Sequence, residues 1–549
     1  MQIALAQCNY HIGDFEGNTQ KIITSIEKSR NAKADLVIFA ELSVCGYPSG
    51  DFLEFKDYLK RCNQAIEHIA YHCKGIAAII GAPDHNPNPK GKPLYNAAYF
   101  LEDQKIKKIF HKGLLPNYDI FEEYRYFEPA TSYSHVDFKG KKIAVTICED
   151  LWNLDNNPLY VQNPMESLAN TGVDLIINIA ASPFAWNHGC ERKIMLSENA
   201  KKYKLPLFYV NHVGGQTELL FDGNSMAINP NGEIICELKL FEEDFHVLSL
   251  ENALHISGSS VIEANECDKA KTELIYAALK MGLKDYFAKL GFQKAILGLS
   301  GGLDSAVTLV LAAEALGPEN VLAVLMPSKF TKEESVNEAL YLAKRLNCPY
   351  HIIPIDDTVK LFEKNLEPYF KELPADITEE NIQARTRAVY LMALSNKFGY
   401  VLLNTSNKSE VAVGYGTLYG DMCGGISVIG DVYKTDVVGL ARYINRHAEI
   451  IPENTITKPP SAELKPNQKD SDSLPEYVVL DKILFQYIEN RKGKDELIHD
   501  GFDKALIRQV LNLVNKSEYK RHQTPPILRV SSKAFGKGRR MPIVAIYQE

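Results

Sequence analysis

Short apolar runs of strand length alternate with segments of helical periodicity along residues 1–250, stop, and resume from residue 271. A chain patterned in this way is confined to layered α/β architectures, because each apolar strand must be covered by helices or by a second sheet. In the first half, strands are predicted at residues 3–6, 36–40, 77–80, 143–147, 175–179 and 207–210. Residues 18–33 place Ile22, Ile23 and Ile26 on one helical face. Between residues 251 and 270 the pattern dissolves into ENALHISGSSVIEANECDKA, which reads as a linker or wrap between domains. In the second half, strands predicted at 295–299, 321–326, 351–355 and 400–404 are separated by helices at 306–316, 333–346 and 379–397. Such crossovers predict a parallel, doubly wound sheet. Residues 458–474, rich in Pro, Lys, Ser and Asp, read as a long mobile loop. The expectation is therefore two α/β domains, 1–250 and 271–549, joined by 251–270; 549 residues exceed what one ordinary core accommodates.

Composition removes several function classes. A net charge of −8 argues against binding nucleic acid through a general basic field. The start MQIALAQCNY lacks the basic and apolar regions of a signal peptide, and no run of 18 apolar residues could span a bilayer, so a soluble cytoplasmic protein is expected. Ten cysteines without CxxC or paired spacing argue against a disulfide scaffold or a zinc site. One local exception to the acidic balance is residues 520–540, with Lys520, Arg521, Arg529, Lys533, Lys537, Arg539, Arg540 and no acid. This run reads either as a solvated tail or as a clamp for the phosphates of a small anionic ligand.

The most informative motif is Leu299-Ser300-Gly301-Gly302-Leu303-Asp304-Ser305, set between an apolar strand and a helix. A loop that ends a parallel strand and opens a helix aims backbone N–H groups and the positive helix end at anions. Gly301 and Gly302 lack a Cβ that would hold phosphate away, Ser300 and Ser305 offer hydroxyls, and Asp304 offers a hard oxygen ligand for Mg²⁺. No Gly-Lys-Ser/Thr follows, so this is not a Walker loop. In the first half, Glu41 in FAELS, Lys112 in HKGLLPNY and Cys148 in TICEDLW each follow an apolar strand. Amide hydrolysis through a thioester needs a thiolate, a carboxylate to move the proton and a cation for the oxyanion. A lone cysteine after a strand is usually buried core, so the set carries the argument.

The SGGxDS motif resembles the pyrophosphate loop of the N-type ATP pyrophosphatases. Six further segments follow in order: ENIQARTR (380–387), NTSNKSE (404–410), GYGTLYGD (414–421), GDVYKT around Lys434, KPPSAEL around Ser461, and YKRHQTPP around Lys520. Together they resemble the NAD⁺ synthetases. The Glu41–Lys112–Cys148 set resembles the triad of the nitrilase superfamily, which implies an αββα sandwich. The whole chain is similar to the glutamine-dependent NAD⁺ synthetases. That resemblance implies ATP and Mg²⁺ as requirements, L-glutamine and deamido-NAD⁺ as further small-molecule substrates, and a homo-oligomer. It implies Glu41 as general base, Cys148 as nucleophile and Lys112 as oxyanion partner, with Glu123 supporting the lysine. Glutamine contacts are implied for Tyr118 and Ser182. A lysine is expected six residues past that serine, where this chain has His188. ATP contacts are implied for Gly298, Leu299, Ser300, Gly301, Gly302, Leu303, Asp304, Ser305, Thr405, Lys434 and Ser461. Deamido-NAD⁺ contacts are implied for Asn381, Glu410 and Lys520, and Mg²⁺ for Asp304 and Glu410. Two alternatives remain open from sequence: another glutamine-dependent N-type ligase with a different acceptor, and a nitrilase-type amidase regulated by a nucleotide-sensing module.

Overall fold

A computed structural model describes residues 1–154, 159–259, 264–371, 373–545 and 547, with the backbone alone for 264–270. It divides into two compact units, Met1–Lys269 and Ala270–Glu549. Residues 260–263, inside the span read as a linker, lie outside the described residues. The helix Leu250–His255 and the opening of the helix Ala264–Leu290 occupy much of the rest.

The first unit is an αββα sandwich of two six-stranded sheets. One runs Asp244–Ser249, Gln2–Gln7, Leu36–Ile38, Ala77–His85, Leu94–Glu102, Lys105–His111 in spatial order. The other runs Ile234–Glu237, Met226–Ile228, Leu207–Asn211, Leu175–Ala180, Lys141–Ile147, Val136–Phe138. In each, three inner strands are parallel and the flanking strands antiparallel. Every residue of Leu175–Ala180 is buried, as expected of a strand covered on both faces. The helices Phe15–Asn31 and Lys56–His72 turn their apolar faces (Ile22, Ile23, Ile26; Cys62, Ile66, Ile69) into the same core.

The second unit holds a five-stranded, wholly parallel sheet ordered Tyr350–Ile352, Val321–Leu325, Lys294–Gly298, Tyr400–Asn404, Ile426–Ser427. The first strand in the chain, Lys294–Gly298, is central, and chain order reverses between it and Tyr400–Asn404. Ligands of doubly wound sheets bind beyond the strand ends at such a reversal. The loop at 299–302 and the turn from residue 405 leave those two strands there. The helix Leu303–Leu316, buried along Ser305–Ala313, is covered on all sides, so its apolar run TLVLAA is core rather than surface. A helical cluster built from Lys408–Val413, Tyr477–Ile488, Lys494–His499 and Lys504–Lys516 packs around a second core.

Sequence reading and structure differ in detail. Leu94–Glu102 and the edge strand Lys105–His111 were given no ranges from sequence, although Lys112 was read as following a strand, because KIKKIFH alternates too weakly to set its bounds. The segment read as a mobile loop is tied down. Ser461 Oγ donates to the Gln468 carbonyl at 2.6 Å, Gln383 Nε2 to the Leu464 carbonyl at 3.0 Å, and Ser335 Oγ to Glu463 at 2.8 Å. Eight cysteines are free thiols among the described residues, and Cys190 is disulfide-bonded. No helix among the described residues is long and apolar enough to cross a membrane.

Candidate functional site

Glu41, Lys112 and Cys148 come from three strand ends of the sandwich. Lys112 is fully buried, its Nζ 2.7 Å from Glu41 Oε1 and 2.8 Å from Glu123 Oε2. Asn96 Nδ2 donates to both acids, at 2.7 Å to Glu41 and 3.2 Å to Glu123; Tyr47 donates to Glu123 at 3.0 Å, and the Ala181 N–H to Glu41 Oε2 at 2.8 Å. Burial works against the Lys112 ammonium, yet Glu123 and Glu41 together hold its pKa well above the lysine range. Burial also lifts Glu123 above the usual carboxylate range. An ammonium buried with two carboxylates needs further hydrogen bonds to the acids, which Asn96, Tyr47 and the Ala181 N–H supply here. Glu41 sits where Gly81 admits it: a Cβ at Gly81 would lie 2.2 Å from the Leu42 nitrogen.

Cys148 leaves the strand Lys141–Ile147 with φ of +43°, a left-handed conformation that a non-glycine residue adopts at a cost. The turn Cys148–Leu151 is held by Asp150. Its Oδ2 accepts the Ile147 N–H at 3.0 Å, and its Oδ1 accepts the N–H groups of Gly113 and Leu114, both at 2.9 Å. One carboxylate thus binds the cysteine turn to the lysine loop. Burial pushes Asp150 up to about 6 against those three N–H groups. The Cys148 thiol is raised well above its ordinary value, by burial first and then by Glu41, with Lys112 opposing. The resting thiol is therefore neutral, and ionisation needs a base beside it.

Around this set, Tyr118 donates to Glu149 Oε1 at 2.9 Å, as does Tyr160. Ser182 Oγ lies 3.3 Å from His188 Nε2, and the His188 ring stacks on Trp152 with centroids 5.1 Å apart. Tyr118, Ser182 and His188, singled out from sequence, are thus attached to the same neighbourhood as the triad. Glu149, Asp150 and Asn96 were missed. Glu149 and Asp150 stood beside Cys148 in CEDLW, and two acids directly after a candidate nucleophile were a usable signal; Asn96 gave none.

In the second unit, a cavity of about 1960 Å³ is lined by every residue for which an ATP, deamido-NAD⁺ or Mg²⁺ contact was implied except Gly301. Gly301 has φ of +81°, and a Cβ there would stand 2.2 Å from the Ser335 carbonyl oxygen, so packing as well as anion access demands glycine. The loop's hydroxyls bond one another: Ser300 and Ser305 Oγ are 3.1 Å apart, and Gly302 N–H donates to Ser300 Oγ at 3.1 Å. Asp304 pairs with Lys434 and accepts from Asn407 Nδ2 at 3.0 Å; Glu410 lies 3.6 Å from the same lysine. Asn407 also caps the helix Lys408–Val413 by accepting the Glu410 N–H at 3.0 Å. Burial, then Asp304, lifts the Glu410 carboxyl to about 8, while Lys434 opposes. Thr405 and Ser461 line the same cavity, and Asn381 accepts from Thr417 Oγ1 at 2.8 Å.

The basic run divides. Lys520 Nζ donates to the carbonyls of Gly414 and Gly416, both at 2.8 Å, and lines the cavity. Arg521 and Arg539 bind Glu518 at 2.6 and 2.8 Å, and Arg529 binds the carbonyls of Ser531 and Ser532. Lys537 and Arg540 face solvent. Neither a solvated tail nor a continuous phosphate clamp describes residues 520–540; three of their seven cations, Arg521, Arg529 and Arg539, close the C-terminal fold on itself.

A buried Glu–Lys–Cys set on an αββα sandwich, with an SGGxDS loop at the reversal of a parallel sheet, defines an amidotransferase-type ligase. The chain matches the carbon-nitrogen hydrolase family over residues 2–253 and the NAD synthase family over residues 275–524. It is 44% identical over 99% of both chains to a glutamine-dependent NAD(+) synthetase of Synechocystis, and 42% identical to that of Thermotoga maritima over 100% of this chain and 99% of the relative. The solved structure of glutamine-dependent NAD+ synthetase from Acinetobacter baumannii in complex with ADP matches with a TM-score of 0.77 at 40% identity, over 99% of this chain and 98% of that one. The chain belongs to the glutamine-dependent NAD⁺ synthetases.

Proposed function

We propose that residues 1–250 release ammonia from L-glutamine and residues 271–549 use it to amidate deamido-NAD⁺ at the expense of ATP. At the first site, Glu41 takes the Cys148 proton as the sulfur attacks the amide carbon, and returns it to the departing ammonia. Water then hydrolyses the thioester to glutamate, with Glu41 again the base. Lys112, kept charged by its two acids, serves as the oxyanion partner, a role its raised pKa supports. Glu149 offers a carboxylate for the substrate's α-ammonium beside Tyr118.

At the second site, the nicotinate carboxylate attacks the ATP α-phosphorus and pyrophosphate leaves; ammonia then displaces AMP to give NAD⁺. The N-terminus of Leu303–Leu316 offers its positive end to the leaving pyrophosphate, whose oxygens would replace the loop bonds now made by the Ser300 and Gly302 N–H groups. Asp304 and Glu410 suit Mg²⁺: two carboxylates share one lysine, and the Glu410 carboxyl, raised first by burial and then by Asp304, would be held ionised by a divalent cation. When bound, such a cation neutralises charge on the ATP phosphates. A pocket for one drug-sized ligand spans roughly 300–1,000 Å³, so a cavity of about 1960 Å³ has room for two nucleotide-sized substrates.

The observation that carries the reading is a complete Glu–Lys–Cys set and a two-nucleotide cavity around SGGxDS in one chain. A ligase with another acceptor would need other residues around Asn381, and a sensing module would not turn ATP over. The test is mass spectrometry of products from ATP, Mg²⁺, L-glutamine and deamido-NAD⁺. NAD⁺, AMP, pyrophosphate and glutamate are expected in equal amounts; glutamate without AMP would point to the sensing module.

A further inference from the structure

Lys434 is held at both ends by one helix. Its Nζ pairs with Asp304 and lies 3.6 Å from Glu410, and the Tyr477 ring centroid lies 5.5 Å from the same ammonium. One turn further along the helix Tyr477–Ile488, Asp481 reaches the lysine's backbone. The Lys434 N–H donates to Ser409 Oγ at 2.9 Å, and Ser409 Oγ donates to Asp481 Oδ1 at 2.5 Å. Asp481 Oδ2 accepts the Thr435 N–H at 2.9 Å and the Thr435 hydroxyl at 2.8 Å. Residues four apart share a helical face, so Tyr477 and Asp481 meet the lysine from the same side.

The helix Lys434–Ile444 opens after Tyr433, whose side chain makes no capping bond. The first N–H groups of a helix need acceptors from outside it. Here they come from two other helices, Ser409 on Lys408–Val413 and Asp481 on Tyr477–Ile488. Ser409 adjoins Glu410, and Asn407 at the cap of the same helix donates to Asp304. The element that receives the Lys434 backbone therefore also places both carboxylate partners of its ammonium. Lys434, Thr435 and Tyr477 line the cavity, whereas Ser409 and Asp481 are buried behind them.

Hydrogen positions follow from the donor inventory. Ser409 Oγ, having accepted the Lys434 N–H, keeps its own hydrogen for Asp481. Asp481 takes three hydrogens and gives none, so the carboxylate is the form that fits. Burial lifts Asp481 above the usual carboxylate range, and the Ser409 and Thr435 donors oppose that rise. An asparagine of the same shape has one acceptor oxygen where the carboxylate has two, so the tie to Ser409 or the tie to Thr435 is lost.

We propose that Asp481 is a positioning residue for the ligase reaction: through Ser409 and Thr435 it fixes the backbone of Lys434, so that the ammonium stands where it meets the ATP phosphates. Asp481 touches no substrate itself. An ammonium on a flexible stem is aimed only as well as the backbone that carries it. The inference rests on the ligase reading.

A double-mutant cycle on the full chain tests it, with ATP-to-AMP turnover measured in the presence of deamido-NAD⁺, Mg²⁺ and ammonium chloride. Asp481→Asn is expected to lower kcat about tenfold, within what a misplaced group costs, with KM for deamido-NAD⁺ held within about twofold. In a Lys434→Ala background the same substitution should change kcat by less than about twofold, because residues that act as a unit are not additive. Ser409→Ala should behave as Asp481→Asn does, and it runs the cycle where the asparagine variant does not fold. Equal factors in both backgrounds, an unchanged kcat, or a loss carried by KM alone would overturn the inference. Where Lys434→Ala turns over too slowly to measure, the split between kcat and KM decides. A wild type that makes no AMP would overturn the ligase reading as well; wild-type turnover with multiplying factors would overturn the positioning role alone.

Discussion

The two sites of this chain are built on opposite principles. In the sandwich, Glu41, Lys112, Glu123, Cys148 and Asp150 are all buried, and backbone N–H groups, Asn96 and Tyr47 satisfy their charges. In the synthetase unit the loop hydroxyls bond each other, Lys434 is shared by Asp304 and Glu410, and the cavity is wide. The first site is finished before substrate arrives. The second holds its charges in provisional pairs that polyphosphate and a cation can replace. Acyl transfer gains from fixed dipoles, since the transition state forms on a small group. Coupling two large anions needs space and exchangeable partners.

This contrast breaks first, and by the largest factor, at Glu41. Glu41→Gln should cut glutamate release by about 10²–10⁴-fold, the scale of a positioned general base, while synthesis from ammonium salts continues. Equal loss from both nitrogen sources would mean that the buried network supports the whole chain rather than one reaction.

A smaller effect is expected at Asp304, where partners are exchangeable. Asp304→Asn should lower ATP-to-AMP turnover by roughly 10–100-fold with either nitrogen source, in line with one lost electrostatic contact, and spare glutamate release. Raising Mg²⁺ should recover part of the loss. Normal turnover would leave Asp304 as the partner of Asn407 and Lys434 only.

Asp150 sharpens the comparison through pH. Its carboxyl, raised to about 6, takes a proton below that value and loses its strength as acceptor for Ile147, Gly113 and Leu114. Glutamate release should therefore fall as pH drops through about 6. The stability contribution of the same group has the opposite sign: a raised acid favours the folded state at low pH, and that benefit is lost as pH rises toward 6. Denaturant titrations of wild type and Asp150→Asn at pH 5 and 7 check the second statement.

The smallest effect is expected in the basic run. Lys537→Ala and Arg540→Ala, both in solvent, should change KM for deamido-NAD⁺ by less than about twofold and stability by under about 0.5 kcal/mol. A large rise in KM would restore the phosphate-clamp reading of residues 520–540.

What sequence disclosed follows the same divide. Uniform apolar runs such as Leu175–Ala180 declared buried strands, and Glu41 and Cys148 were visible because each closes such a run, whereas Lys112 closes the mixed run KIKKIFH. The SGGLDS loop was visible because its residues are contiguous. Side chains that join distant segments were not: Asp150 reaches Gly113, Asn96 reaches Glu41, and Asn407 reaches Asp304, across separations that no local pattern encodes. Charge was misleading for a related reason. Arg521, Arg529 and Arg539 look like a binding run in one dimension, yet they meet Glu518 and backbone carbonyls in three.

The central claim is that one chain carries two separable chemistries, and Cys148→Ala tests it most directly. NAD⁺ formation from deamido-NAD⁺, ATP and Mg²⁺ would be measured with L-glutamine and, separately, with ammonium chloride, on a variant whose fold is verified by circular dichroism. Loss of glutamine-driven synthesis with ammonium-driven synthesis retained is the predicted result. Loss of both, or survival of glutamine-driven synthesis, would contradict the account.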